Sequence, residues 1–344
     1  MLSNKVAILK PPVGCGGLEN LGDQLIAVGL ESGCTADEIL YLNSENEADF
    51  AYSASVARSI GRVVIAGQPQ YHHYTSPANT HWTKHKLYTD YFPNINIWVV
   101  AGGAHHHVPV LEDFIKAVHS NEYCRLVYAD RLNPNVRHYV RDTHAYRLLE
   151  SFGEKPELVA CPSVLAAKKL GIKPSKTPKY GVIVLPRIHY LNKTDPNDVI
   201  KRQFTEDLRL VKEHFDTIGL HPIVIAHTVL DIALAKKLLP SLECYYSNNL
   251  EQALLKYSEA QLVVSWRVHG AIAGYAASNA NVIHIGIDSR TETLSAFKDI
   301  IKLSFWHPEN QLLTALKAPQ RGSNTNTINA IAAYYKVLWQ EIMQ

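Results

Sequence analysis

Leu262-Val263-Val264-Ser265-Trp266-Arg267-Val268-His269-Gly270-Ala271-Ile272 is the stretch that decides how this chain is read. An apolar strand runs into an arginine and a histidine two positions apart, and a helix of small residues follows at once. Residues i and i+2 at a strand end point to the same side. Ligands of open α/β sheets bind beyond the carboxyl ends of the strands. The pattern therefore aims a guanidinium fork and a titratable imidazole together at one ligand position. That pairing suits an anion that must also exchange a proton.

Strand-like and helix-like segments alternate on both sides of this stretch, which predicts parallel sheets. Upstream, the pattern predicts strands at Lys5 to Leu9, Arg62 to Ala66, Ile95 to Ala101, Cys124 to Ala129 and Leu158 to Ala160, with helices between them. Gly171 to Lys179 carries two prolines and no periodicity, and reads as a linker. Beyond it, strands are predicted to begin at Tyr180, Pro222, Cys244, Gln261 and Val282. With 344 residues the chain exceeds one compact core. The expected fold class is α/β, two Rossmann-like domains facing across a cleft, over residues 1–170 and 180–322. Residues 323–344 read as a helix whose face of Ile331, Tyr335, Leu338 and Ile342 is expected to pack back on the N-terminal domain. Its Tyr334, Tyr335 and Trp339 offer a second use, contact with a membrane surface.

Composition removes several function classes. The net charge is +2 before any of the 17 histidines is counted, which gives no clustered basic face for nucleic acid. Five cysteines (Cys15, Cys34, Cys124, Cys161 and Cys244) are scattered without a CxxC pair. Neither a disulfide framework nor a structural zinc site is expected, and a reducing compartment fits. The N-terminus lacks the features of a signal peptide, and no uncharged run reaches the ~18 residues that span a bilayer. The expected location is cytoplasmic, at most against the inner face of a membrane.

Several other segments could carry chemistry. Gly14, Gly16, Gly17 and Gly22 lie between the first strand and its helix, with Asn20 and Asp23 at the turn. Glycines let a ligand approach the backbone, and a helix N-terminus attracts an anion. The spacing is not the dinucleotide GxGxxG, and a plain turn capped by Asn20 or Asp23 explains it as well. Arg187 follows the first strand of the second domain and, taken alone, reads as a surface arginine. Parallel strands bring their C-terminal ends to one edge, however, so Arg187, Arg267 and His269 are expected to share a pocket for a ligand with two anionic groups. His227 and Asp231 follow another strand and read either as sugar contacts or as an ordinary helix start. His72, His73, His81, His85, His105, His106 and His107 form histidine-rich loops. With no HExxH helix or carboxylate pair they read as crevice lining, and no metal is expected. Arg141-Asp142 reads as a salt bridge or cap. Cys161 reads as a packed thiol, because no histidine follows at a usable position.

Together these segments resemble the polysaccharide pyruvyl transferase family. Its G-x-x-N-x-G-D turn is matched by Gly17-Leu18-Glu19-Asn20-Leu21-Gly22-Asp23, and its arginine after the first strand of the second domain by Arg187. Its V-R-D/E element is matched by Val140-Arg141-Asp142, and its H-x-x-x-D region by His227 to Asp231. Its S-x-R-L-H is matched by Ser265-Trp266-Arg267-Val268-His269, with valine in place of leucine. The likeness runs over roughly residues 5 to 300, and its specificity comes from the order of short motifs at strand ends.

The resemblance implies a glycosyltransferase-B-like fold and transfer of pyruvate from phosphoenolpyruvate to a sugar as a ketal. Phosphoenolpyruvate is then a co-substrate, and no bound cofactor is implied. Arg187 and Arg267 would hold the donor's carboxylate and phosphate, and His269 would contact the phosphate or move the proton. Asn20, Asp23, His105 and His227 would line the cleft near the acceptor. The acceptor would be a saccharide of a surface polysaccharide or exopolysaccharide, whether or not lipid-linked, and the oligomeric state is left open. Two other readings fit the pattern: a glycosyltransferase with a nucleotide-sugar donor, and a non-catalytic saccharide-binding protein on the same fold. The trio Arg187, Arg267 and His269 weighs against the last, since a scaffold has no need of it.

Overall fold

The computed structural model describes residues 4–9, 20–42, 47–67, 69–74, 86–106, 110–187, 199–319 and 321–344. Gly14, Cys15, Gly16, Gly17, His81, His85 and His107 lie outside the described residues. Two parallel sheets organise the rest. The first contains β1 (Lys5–Leu9), β2 (Glu38–Leu42), β3 (Arg62–Ala66), β4 (Pro69–Tyr71), β5 (Asn96–Ala104), β6 (Val136–Val140) and β7 (Glu157–Leu158). Its order is β2-β1-β3-β5-β6-β7, with β4 paired to β5. The second contains β8 (Tyr180–Val184), β9 (His221–Ile225), β10 (Glu243–Tyr245), β11 (Ala260–Ser265), β12 (Asn281–Gly286) and β13 (Ile301–Ser304). Its order is β10-β9-β8-β11-β12-β13.

Strands covered on both faces read as unbroken apolar runs. β3 is buried along its whole length, and β1 along all but its first residue. In the second sheet Val263 of β11 pairs with Val182 on one side and Val282 on the other. That places the strand preceding Arg267 in the middle of the sheet.

Apolar side chains gather in three clusters. One covers a face of the first sheet with Val63, Ile65, Phe114 and Leu148. Another covers a face of the second sheet with Ile183, Val211, Phe215 and Val264. The third belongs to both halves, joining Val6, Ile8, Leu25 and Ile26 to Val182, Val263, Ile272 and Tyr275. The two halves therefore share apolar packing, which fixes their orientation more firmly than a polar cleft would.

The helix Thr325–Met343 buries Ile328, Tyr335, Leu338, Trp339 and Ile342. Trp339 Nε1 donates to the carbonyl of Leu30, and the Tyr335 hydroxyl to that of Ala160, each at 2.7 Å. Tyr335 and Trp339 are thus committed to the interior, which corrects the idea that they could touch lipid. Among the described residues no helix is long and apolar enough to cross a membrane.

One element differs in kind from the sequence reading. Cys124 to Ala129 is not a strand but part of the helix Glu122–Arg131, opened by Asn121, whose side chain accepts from the Cys124 amide at 2.9 Å. Cys124, Val127, Tyr128 and Arg131 are buried at helical spacing. The β-forming run Leu-Val-Tyr concealed that period. The strand of this region is β6, and it delivers Arg141 to the sheet edge.

Candidate active site

Ser265 ends β11 and turns the chain into a helix. Its hydroxyl donates to the Arg267 carbonyl at 2.7 Å and accepts from the Arg267 amide at 3.1 Å. The helix Val268–Ala277 begins directly after Arg267. A Cβ on Gly270 would lie 2.5 Å from Ser265 Oγ and 2.8 Å from Val184 Cγ1, so this close packing requires glycine. Because the strand stops at Ser265, strand alternation does not govern Arg267 and His269. This corrects the expectation of a common direction: the two side chains make separate sets of contacts.

Arg267 faces its own half. Its Nε donates to the Leu185 carbonyl at 3.0 Å, and its Nη2 pairs with Asp231 Oδ1. Asp231 Oδ2 accepts from the amides of His227 and Thr228, each at 2.9 Å, closing a capping box at the helix Val229–Leu238. Burial draws the Arg267 guanidinium down to about 10 against the pull of Asp231. Arg267 is thus partly a structural tie.

His269 faces the other half. A Cβ built on Gly22 would lie 2.6 Å from its Nδ1, so the ring rests on the first turn of the helix Leu21–Leu30. Its Nε2 lies 3.8 Å from Cys161 Sγ. Burial, followed by the charge of Arg141 and then His227, Arg290 and Arg187, holds the imidazole well below its ordinary value. The resting ring is therefore neutral near pH 7.

Asn20 caps the helix Leu21–Leu30, accepting from the Gly22 amide at 3.1 Å while its Nδ2 donates to Asp23 Oδ2 at 3.0 Å. Burial raises the Asp23 carboxyl above the usual range, against the charges of Arg187, Arg141 and Arg267 and the bond from Asn20. Three arginines from three strand ends thus act on one place, beside His269. Arg187 is exposed after β8 and makes no hydrogen bond or ion pair among the described residues.

Arg141 was missed. It is buried, and among the described residues it makes no salt bridge and its Nε and Nη1 have no hydrogen-bond partner. A Cβ on Gly103 would meet its Nε at 2.7 Å. Neighbouring Asp142 does cap a helix, accepting from the amides of Ala145 at 2.8 Å and Ala104 at 3.0 Å. Leaving a buried guanidinium unpaired is costly unless an anion arrives. The available signal was its match to the V-R-D/E element of the family it resembles.

His227 is 1% exposed, with Nε2 2.9 Å from the Tyr257 hydroxyl. Its carbonyl accepts from the Leu21 amide at 3.0 Å, tying the two halves together. At that exposure it offers no surface to an acceptor, which corrects its assignment there. His105 does lie between the halves, with Nε2 3.7 Å from Asp288 Oδ2, and the adjacent His106 amide donates to Ser289 Oγ at 3.0 Å. Among the described residues no three His, Cys, Asp or Glu side chains gather as metal ligands would.

The profile of a family described as polysaccharide pyruvyl transferase matches residues 82–289. Comparison with curated proteins gives no match. Among solved structures, the chain is similar to S. aureus MnaA in its UDP co-structure, with a TM-score of 0.56, 10% identity, and coverage of 99% of this chain and 98% of that one. It is also similar to Methanocaldococcus jannaschii UDP-GlcNAc 2-epimerase in complex with UDP-GlcNAc and UDP, with a TM-score of 0.55, 10% identity, and coverage of 96% and 99%. At such identity the likeness speaks for the fold, two parallel-sheet α/β domains of the glycosyltransferase B kind.

Proposed function

The chain belongs to the polysaccharide pyruvyl transferase family, and from that premise we propose that it moves the pyruvyl group of phosphoenolpyruvate onto two hydroxyls of a saccharide, forming a cyclic ketal. The observation that carries this reading is the buried guanidinium of Arg141, its Nε and Nη1 without partners among the described residues, acting on the same place as Arg187, Arg267 and His269. Phosphoenolpyruvate offers a carboxylate and a phosphate on one rigid three-carbon frame, which separated guanidinium groups hold in a fixed orientation.

The proton inventory follows from the electrostatics. Burial foremost, and then the charges of Arg141, His227, Arg290 and Arg187, keep His269 neutral before the donor binds. A bound polyanion offsets those charges, so the ring gains a proton as the donor binds. The imidazolium gives a proton to the methylene carbon, leaving an oxocarbenium-like C2. One sugar hydroxyl adds to C2 and its proton returns to the ring. The C–O bond to phosphate breaks, and the second hydroxyl closes the ketal as its proton passes to the departing phosphate. Asn20 and Asp23 lie beside the reacting centre, and His105 borders it from the first half.

The test is incubation with phosphoenolpyruvate and a panel of saccharides, lipid-linked ones included, following phosphate release and the mass gained by the sugar. Phosphoenolpyruvate should also raise the Tm, whereas UDP should not. Stabilisation by UDP alone, with no phosphate released from phosphoenolpyruvate, would replace this reading with the use of a nucleotide-sugar.

A further inference from the structure

His269 and Cys161 come from different halves of the molecule, yet Nε2 and Sγ are 3.8 Å apart. The sulfur also accepts from the Ser163 hydroxyl at 3.1 Å, and both Cys161 and Ser163 are fully buried. Ser163 supplies a hydrogen to the sulfur, so the thiol's own hydrogen is available for a second acceptor. Nε2 is the acceptor within reach. A neutral imidazole that accepts at Nε2 carries its hydrogen on Nδ1. Nδ1 is the atom turned toward the first turn of the helix Leu21–Leu30, where Asp23 feels the three arginines.

We propose that Cys161, oriented by Ser163, is a positioning residue whose thiol fixes His269 in the Nδ1–H tautomer. The ring then presents a donor, not a lone pair, toward the place where an anion is held. Nε2, against the sulfur, is left as the nitrogen that takes up the additional proton. The consequence for turnover rests on the reaction proposed above. The tautomer itself belongs to the resting protein.

Nitrogen-15 NMR of ring-labelled histidines reads the tautomer directly, with the His269 signal identified by its loss in His269→Gln. The wild-type ring should be the Nδ1–H form. Cys161→Ala should move it toward the Nε2–H form, and Cys161→Ser, which keeps a donor there, should retain Nδ1–H. Ser163→Ala, a smaller perturbation, should shift the ring in the same direction as Cys161→Ala. A wild-type ring protonated at Nε2, or a tautomer unmoved by either alanine variant, overturns the proposal. In turnover, Cys161→Ala should lower kcat about 10-fold with little change in the KM for phosphoenolpyruvate, and Cys161→Ser should recover most of it. Full kcat in a folded Cys161→Ala variant rejects the positioning role. If wild-type protein transfers no pyruvyl group but shows the tautomer pattern, the reaction fails and the Cys161 assignment stands.

Discussion

Nδ1 of His269 occupies space that any side chain at position 22 would need: a Cβ on Gly22 would lie 2.6 Å from it. The two residues come from opposite halves, so this fit also sets where the imidazole sits relative to the capped helix start. In Gly22→Ala the ring must move by several tenths of an ångström or more. Alanine gains about 1 kcal/mol over glycine in helix propensity, which offsets part of an overpacking cost of about 1–3 kcal/mol. Stability should therefore change little while kcat/KM falls about 100-fold, the usual scale for a misplaced catalytic group. Thermal melting together with phosphate release checks both halves of the statement. Undiminished turnover would show that the ring's seat on Gly22 is immaterial.

Arg141 and Arg267 should respond in opposite ways to loss of charge. Arg141 has two buried nitrogens without hydrogen-bond partners among the described residues, so Arg141→Met keeps the stem and relieves the desolvation of a guanidinium held by the longer-range pull of Asp23 and Asp142. Its Tm should hold or rise, and phosphoenolpyruvate should no longer raise it. Arg267→Met strands Asp231, whose carboxylate is 4% exposed, and should cost about 3 kcal/mol. Paired thermal melts with and without phosphoenolpyruvate separate the cases. An Arg141→Met protein that melts far below wild type, yet still gains Tm from phosphoenolpyruvate, would strip Arg141 of its anion role.

Much of the site was legible because parallel sheets deliver strand ends to one edge. Arg187, Arg267 and His269 could be placed there from β8 and β11 alone. The direction of each side chain was not legible, since it depends on where the strand gives way to the helix. Ending β11 at Ser265 separates Arg267 from His269 and gives the arginine a structural partner in Asp231. Cys161 was set aside for want of a nearby histidine, yet its partner lies 108 positions away and arrives through the packing of the two halves. The helix Glu122–Arg131 hid behind β-forming residues, and with it the strand that presents Arg141.

Donor binding should be linked to proton uptake. The folded imidazole of His269 is held well below its ordinary 6.5, so in the empty protein its contribution to stability is present above that value. That contribution is lost as pH falls, because the unfolded chain then binds the proton more readily. A bound polyanion raises the folded value, so affinity should increase as pH falls between the two values. Calorimetric titration of phosphoenolpyruvate in buffers of different ionisation enthalpy should give net uptake approaching one proton. His269→Gln should remove the uptake due to the ring, leaving only that of the phosphate. Equal uptake in the two proteins would count against His269 as the proton carrier.

A second histidine, within the second half, should titrate in the opposite sense. His307 Nε2 lies 3.5 Å from Asp207 Oδ2, with both side chains almost wholly buried. Its Nδ1 contacts the Pro308 carbonyl at 3.1 Å, so both ring nitrogens face oxygens that can only accept. The contact with Asp207 raises the folded value above the ordinary 6.5 in spite of burial. The stabilisation is therefore complete below about 6.5 and is lost as pH rises through the folded value. Breaking the pair with His307→Gln should cost about 3 kcal/mol at pH 6. The gap from wild type should narrow on the alkaline side, as the native imidazolium gives up its proton. Urea denaturation at pH 6 and pH 9 measures this, and a gap that stayed constant would mean His307 is neutral throughout.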